Sequence, residues 1–74
     1  MTAMTQQMTA ADLIRLTGLR VGVSIAYPGD PRPFHVVRTA ENGYGAVQIF
    51  DHSGRCHGLG SLASVVEVVG TFNL

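Results

Sequence analysis

Seventy-four residues make one domain and leave no room for a second core. Five arginines balance five acids at zero formal charge, which argues against a bulk nucleic-acid binder and equally against an acidic nucleic-acid mimic. The single cysteine, Cys56, rules out an internal disulfide and a paired-cysteine zinc frame.

A chain this short is marginal as a monomer unless something helps it. With disulfide and cysteine-pair metal removed, self-association is the remaining helper, so a homo-oligomer is expected. Charged residues make up only 14% of the chain, against a typical quarter, and such a surface tolerates being covered. All the basic residues are arginine, which favours planar, bidentate contacts. The first nine residues lack a basic start and a long apolar run, no stretch is long enough to span a membrane, and a lone cysteine suits a reducing compartment. The expected location is the cytoplasm, with no membrane partner.

In chain order, residues 1–8 read as a disordered tail and 9–74 as a single small β-barrel domain. Thr9 and Asp12 have the spacing of a capping box. They predict two helical turns over Ala10–Thr17, with Leu13, Ile14 and Leu16 or Thr17 against the body and Gly18 as a left-handed stop. From Arg20 the apolar period becomes two, so Val21, Val23, Ile25 and Tyr27 share one face of a strand. The segment 28–33 holds three prolines and must be a stiff, exposed loop. Phe34 to Thr39 predicts a second strand, Asn42-Gly43 a tight type I′ hairpin, and Gly45 to Phe50 its returning partner. Asp51 to Gly54 is a further turn, Arg55 to Leu59 a fourth strand, Ser61 to Ser64 one helical turn, and Val65 to Val69 the last strand.

This order predicts a mainly β fold: a five-stranded SH3-like barrel with a short N-terminal helix and one helical turn before the last strand. The Sm-like barrels have a similar order and remain an alternative. Apolar residues on both faces of two strands stand out. Val47 and Ile49 oppose Tyr44, Ala46 and Phe50, while Val66 and Val68 oppose Val65 and Val69. A monomeric barrel needs polar residues outward, so the doubled apolar face points to a second copy.

Two segments carry candidate chemistry. The loop 28–33 brings Asp30 and Arg32 beside Tyr27 and Phe34, a composition suited to gripping a partner as well as to closing a barrel end. Tyr27, Phe34, Tyr44 and Phe50 could line a cage for a cation or simply fill core and interface. The run from Asp51 to His57 includes His52, Cys56 and His57, which zinc could use, although a hairpin turn collects polar residues for solubility alone. Adjacent residues on a strand point to opposite faces, which argues against Cys56 and His57 as a nucleophile–base pair more strongly than against zinc.

The pieces Val47-Gln48-Ile49-Phe50 and Ser61-Leu62-Ala63-Ser64-Val65-Val66-Glu67 bear a local resemblance to the plasmid- and integron-borne type II dihydrofolate reductases. That family assembles four SH3-like barrels around a pore marked by Val-Gln-Ile-Tyr and a following Ala-Ala-Leu-Glu turn. The resemblance implies a barrel, an oligomer and a mobile-element origin. Phe50 stands in place of the tyrosine, the chain has no lysine for cofactor phosphates, and ten residues separate the two pieces.

No catalytic constellation, cofactor motif or metal frame emerges. The expected function is therefore a small non-catalytic interaction or regulatory protein, a homo-oligomer of phage, plasmid or integron origin that binds a protein partner. Its expected partner-binding residues are Tyr27, Asp30, Arg32, Phe34, Tyr44 and Phe50. Two alternatives are an oligomeric pore enzyme, in which Gln48 and Ile49 line the site, and an Sm-like ring that binds RNA.

Overall fold

The computed structural model describes residues 6–27 and 29–74. The chain runs β1 (Gln6–Thr9), α1 (Ala10–Gly18), β2 (Val21–Ala26), β3 (Phe34–Val36), β4 (Arg38–Glu41), β5 (Val47–Phe50), β6 (Cys56–Gly58) and β7 (Val65–Asn73). All strand pairing is antiparallel, in one sheet ordered β1-β7-β2-β3 and a second ordered β4-β5-β6.

The capping box forms as its spacing predicts. The Asp12 amide donates to the Thr9 hydroxyl, and the Thr9 amide donates to the Asp12 carboxylate. Ala10 and Leu13 are fully buried and Leu16 packs against the core. Thr17 reaches across to Thr39, with 3.0 Å between hydroxyls, which ties the helix to β4. The helix stops differently from expectation. Gly18 is its last residue, Leu19 caps it, and the left-handed position falls on Arg20 at φ 63°.

Among the described residues, seven strands in two sheets stand in place of the five-stranded closed barrel. Three local causes account for this. First, Gln6–Thr9 pairs with Val65–Val68, so the stretch read as a tail is strand from Gln6 onward; residues 1–5 lie outside the described residues. Second, the strand expected over Phe34–Thr39 breaks at Val37, whose amide leaves the first sheet and donates to the Phe50 carbonyl at 2.9 Å. Third, β6 is only three residues long, and beyond it the Leu59 amide still bonds to Val47 within the second sheet. Gly58 and Leu59 face Ala26, Tyr27 and the start of β7 across a groove of about 700 Å³.

Two turns also differ. The β4–β5 connection is not a two-residue type I′ turn. Asn42 and Ala46 close it, Gly43 and Gly45 both take φ near 85°, and the Asn42 side chain accepts from the amides of Tyr44 and Ala46. Ser61–Ser64 forms a turn rather than a helical one, closed by the Ser64 amide on the Ser61 carbonyl.

The core draws on helix and both sheets: Leu13, Val23, Ile25, Phe34, Val36, Ile49 and Val68 form one cluster, with Met8, Tyr27, Leu59 and Val66 around it. The two-sided apolar pattern is present on β7, while β5 (Val47–Phe50) turns Gln48 outward and leaves Tyr44 and Ala46 in the preceding loop. Val47 and Ile49 are buried while Gln48 is exposed, and Val68 is buried while Val65 and Val69 are 59% and 48% exposed. In the β2–β7 pairing a bulge falls between Ser24 and Ile25, whose partners are Gly70 and Val68. Val69 is skipped, and the strand's parity is reset so that Phe72 lies opposite Gly22.

Candidate functional site

A cleft of about 470 Å³ lies between the loop after β2 and the β5–β6 turn. Tyr27, Asp30, Arg32, Pro33, Phe34 and His35 line one side; Asp51, His52, Ser53, Arg55 and His57 line the other. The two sides are some twenty residues apart in sequence, and the crossing at Val37 carries the chain from one to the other.

Its floor is aromatic. The His57 ring sits 4.9 Å from Tyr27 and 4.6 Å from Phe34, edge-on to the latter, and Tyr27 meets Phe34 edge-to-face at 6.2 Å. Such edge-to-face pairs add to the gain from burial alone. Among the described residues the Tyr27 hydroxyl is buried without a hydrogen-bond partner, and burial raises the phenol above its ordinary pKa. A second stack lies on the outer sheet face. Phe72 meets His35 at 5.9 Å and His52 at 6.3 Å, and the His35 Nδ1 is 2.7 Å from the Ser24 hydroxyl.

The two acids of the cleft are occupied within their own loops. Asp30 accepts from the Arg32 amide at 2.9 Å. Asp51 accepts from the Ser53 amide, the Ser53 hydroxyl and the Arg55 amide. The Ser53 hydroxyl, then these amides and the Arg55 charge, hold the Asp51 carboxyl below its usual range. Arg32 and Arg55 make no ion pair: the one ion pair among the described residues joins Arg15 to Asp12 on the helix, at 3.7 Å.

The six residues expected to bind a partner separate into two groups. Tyr27, Asp30, Arg32 and Phe34 come together at the cleft. Phe34 does so as a core residue, only 6% exposed, so it supports the cleft floor rather than offering a free ring. Tyr44 stands 94% exposed on the β4–β5 loop, and Phe50 is half-buried under the Arg38 guanidinium, 3.8 Å above its ring. Neither lines the cleft, and the four aromatics form no common cage.

The zinc alternative does not assemble: among the described residues no three His, Cys, Asp or Glu side chains are grouped to hold a metal ion. His52 stacks on Phe72, His57 packs on Tyr27 and Phe34, and Cys56 faces solvent. The run from Asp51 to His57 instead supplies the second wall of the cleft. The sequence signal for it was the dense polar turn itself, but nothing in the spacing links that turn to residues 27–35. Of the residues expected to line a pore, Gln48 is exposed and Ile49 is buried in the core of the single chain. Among the described residues, no helix is long and apolar enough to cross a membrane. No protein-family model, curated protein or solved structure matches the chain.

Proposed function

We propose that this chain is a small interaction module, a homo-oligomeric mainly β domain that holds a protein partner in the cleft between residues 27–35 and 51–57. The observation that carries this reading is the convergence of Tyr27, Asp30, Arg32 and Phe34 with the Asp51–His57 turn on one concave surface. The cleft sets the rings of Tyr27, Phe34 and His57 among charged and polar side chains from both walls. Self-association rests on separate ground: Val65 and Val69 are exposed on one face of β7, in a chain without disulfides. An exposed free thiol at Cys56 suits a reducing cytoplasm, and an accessory role on a mobile element fits the chain's size.

The test is affinity capture with the wild type and with an Arg32→Gln/Arg55→Gln variant, alongside light scattering. A protein retained by the wild type and lost with the variant, on a scaffold heavier than one chain, is the expected result. Equal retention by both would remove the cleft from the reading. A thermal shift with NADPH or folates and no differential capture would favour the pore enzyme instead.

A further inference from the structure

We propose that this chain pairs with a second copy of itself along the free edge of β6, the two strands running antiparallel about a two-fold axis at His57. This rests on the homo-oligomeric reading above and names the surface that builds it. β6 ends its sheet, with β5 on one side and no described strand on the other. The Leu59 amide donates to the Val47 carbonyl, and the Asp51 amide donates to the Arg55 carbonyl. Those two bonds set the alternation along the ladder, in which Arg55, His57 and Leu59 turn their peptide groups to β5. The peptide groups of Cys56 and Gly58 therefore point to the open edge. Both residues are exposed, and Gly58 borders the groove of about 700 Å³.

The other sheet edges are less available. β1 gives its Thr9 amide to Asp12 at the helix start. β4 is tied to α1 through Thr39 and Thr17 and carries Arg38 and Glu41. β3 runs at once into the crossing at Val37. Edges left unpaired are normally blunted by charge, proline or a covering element, and β6 holds no proline and no fixed charge.

A second copy fits because the edge is its own complement. Gly54 and Gly60, both at φ 87°, bound the extended stretch on either side. One antiparallel register then pairs the whole strand: Cys56 opposite Gly58 of the other copy, Gly58 opposite its Cys56, and His57 opposite His57 on the axis. Each Cys56–Gly58 pair exchanges both its backbone hydrogen bonds. The exposed Val65 lines the same groove as Gly58, so the incoming strand enters beside the apolar face of β7. The two His57 side chains become a directly opposed cross-strand pair. Because His57 packs on Tyr27 and Phe34, the floors of the two clefts come to lie side by side.

Disulfide trapping with Gly58→Cys tests this, alongside light scattering and amide hydrogen exchange of the unmodified chain. A β-carbon at Gly58 meets nothing within 4 Å, so the variant should fold as the wild type does. Its new thiol would lie opposite Cys56 of the other copy, with α-carbons about 5.5 Å apart and within disulfide reach. In the wild type the two Cys56 residues are diagonal neighbours at about 7–8 Å, beyond that reach. Oxidised glutathione takes the two protons and two electrons as the thiols join, and a non-reducing gel reads a product of twice the 7.9 kDa chain mass. Trapping should be at least about tenfold faster than in the wild type, since the opposed thiols meet within one assembly. The Cys56 and Gly58 amides should exchange slowly in the unmodified assembly. A solution mass of one chain would overturn the inference together with the homo-oligomeric reading. A multiple of that mass with trapping no faster than wild type, or with those two amides exchanging freely, would overturn the edge pairing alone. Faster trapping of Val69→Cys/Cys56→Ser than of Gly58→Cys would overturn it in favour of contact through the face of β7.

Discussion

The ring of Phe72 lies directly across Gly22, so close that a β-carbon built on Gly22 would sit 2.3 Å from it. Gly22 is buried as the second residue of β2, and glycine within a strand normally weakens it. Here its missing side chain is the space that Phe72 fills between His35 and His52. Gly22→Ala should therefore displace the ring and cost about 1–3 kcal/mol. Urea unfolding of Gly22→Ala, Phe72→Leu and the double variant checks it, since residues in contact should give a non-additive double loss.

Phe34 and Arg32, neighbours at the cleft, should behave oppositely on unfolding. Phe34→Ala removes a buried ring from the core and should cost about 3–5 kcal/mol. Arg32→Gln alters an exposed side chain and should stay within about 0.5 kcal/mol of wild type. Denaturant midpoints at constant slope separate the two. A large loss from Arg32→Gln would make that arginine structural.

Removal of the Tyr27 hydroxyl should not harm the fold. A buried polar group without a partner carries its full desolvation cost, of about 1–3 kcal/mol. Tyr27→Phe keeps the ring against His57 and Phe34 and should hold or raise stability, by up to about 1 kcal/mol. A drop in the urea midpoint would reveal a partner for the hydroxyl.

Self-association should depend on the outer face of β7. Light scattering of the wild type should give a multiple of the 7.9 kDa chain mass. Val65→Glu with Val69→Glu should return the mass of one chain, with melting still cooperative. A wild-type mass of one chain would end the oligomer reading.

Acid should weaken the fold through two turns. Asp12 is held below its ordinary 3.8 chiefly by the Thr9 amide and hydroxyl, and Asp51 below the same value chiefly by the Ser53 hydroxyl. Each carboxyl binds its proton less readily folded than unfolded. Its contribution is therefore complete above the ordinary value and lost as pH falls through the folded one. The melting temperature should be level above that window and decline below it. The decline should be shallower in Asp12→Asn/Asp51→Asn, and an unchanged slope would remove these two groups as its cause.

The legible parts of this fold were those governed by local rules. Thr9 and Asp12 announce the helix start because a capping box needs only three residues of spacing. Alternation located β5 and β7 because Val47, Ile49 and Val68 must face the core. The β4–β5 turn was missed because Asn42-Gly43 is followed by a second glycine. A two-residue turn would set Glu41 opposite Tyr44, whereas the core register sets it opposite Val47. The cleft escaped for a different reason. Arg32 and Arg55 line the same cleft only because the chain crosses sheets at Val37, an apolar residue with no turn chemistry to mark it.

The bulge in β7 also governs how tolerant the strand is to a change in length. Its two halves are counted from opposite ends: Val65–Val68 from the pairing with Gln6–Thr9, and Gly70–Asn73 from the pairing with Val21–Ser24. Val69 is the one residue that belongs to neither count. A deletion on either side of it forces a choice between burying Val68 and seating Phe72 on Gly22. In a lineage of related chains, insertions and deletions would therefore collect in the loop between β2 and β3, and the length of β7 would stay constant even where its exposed valines change.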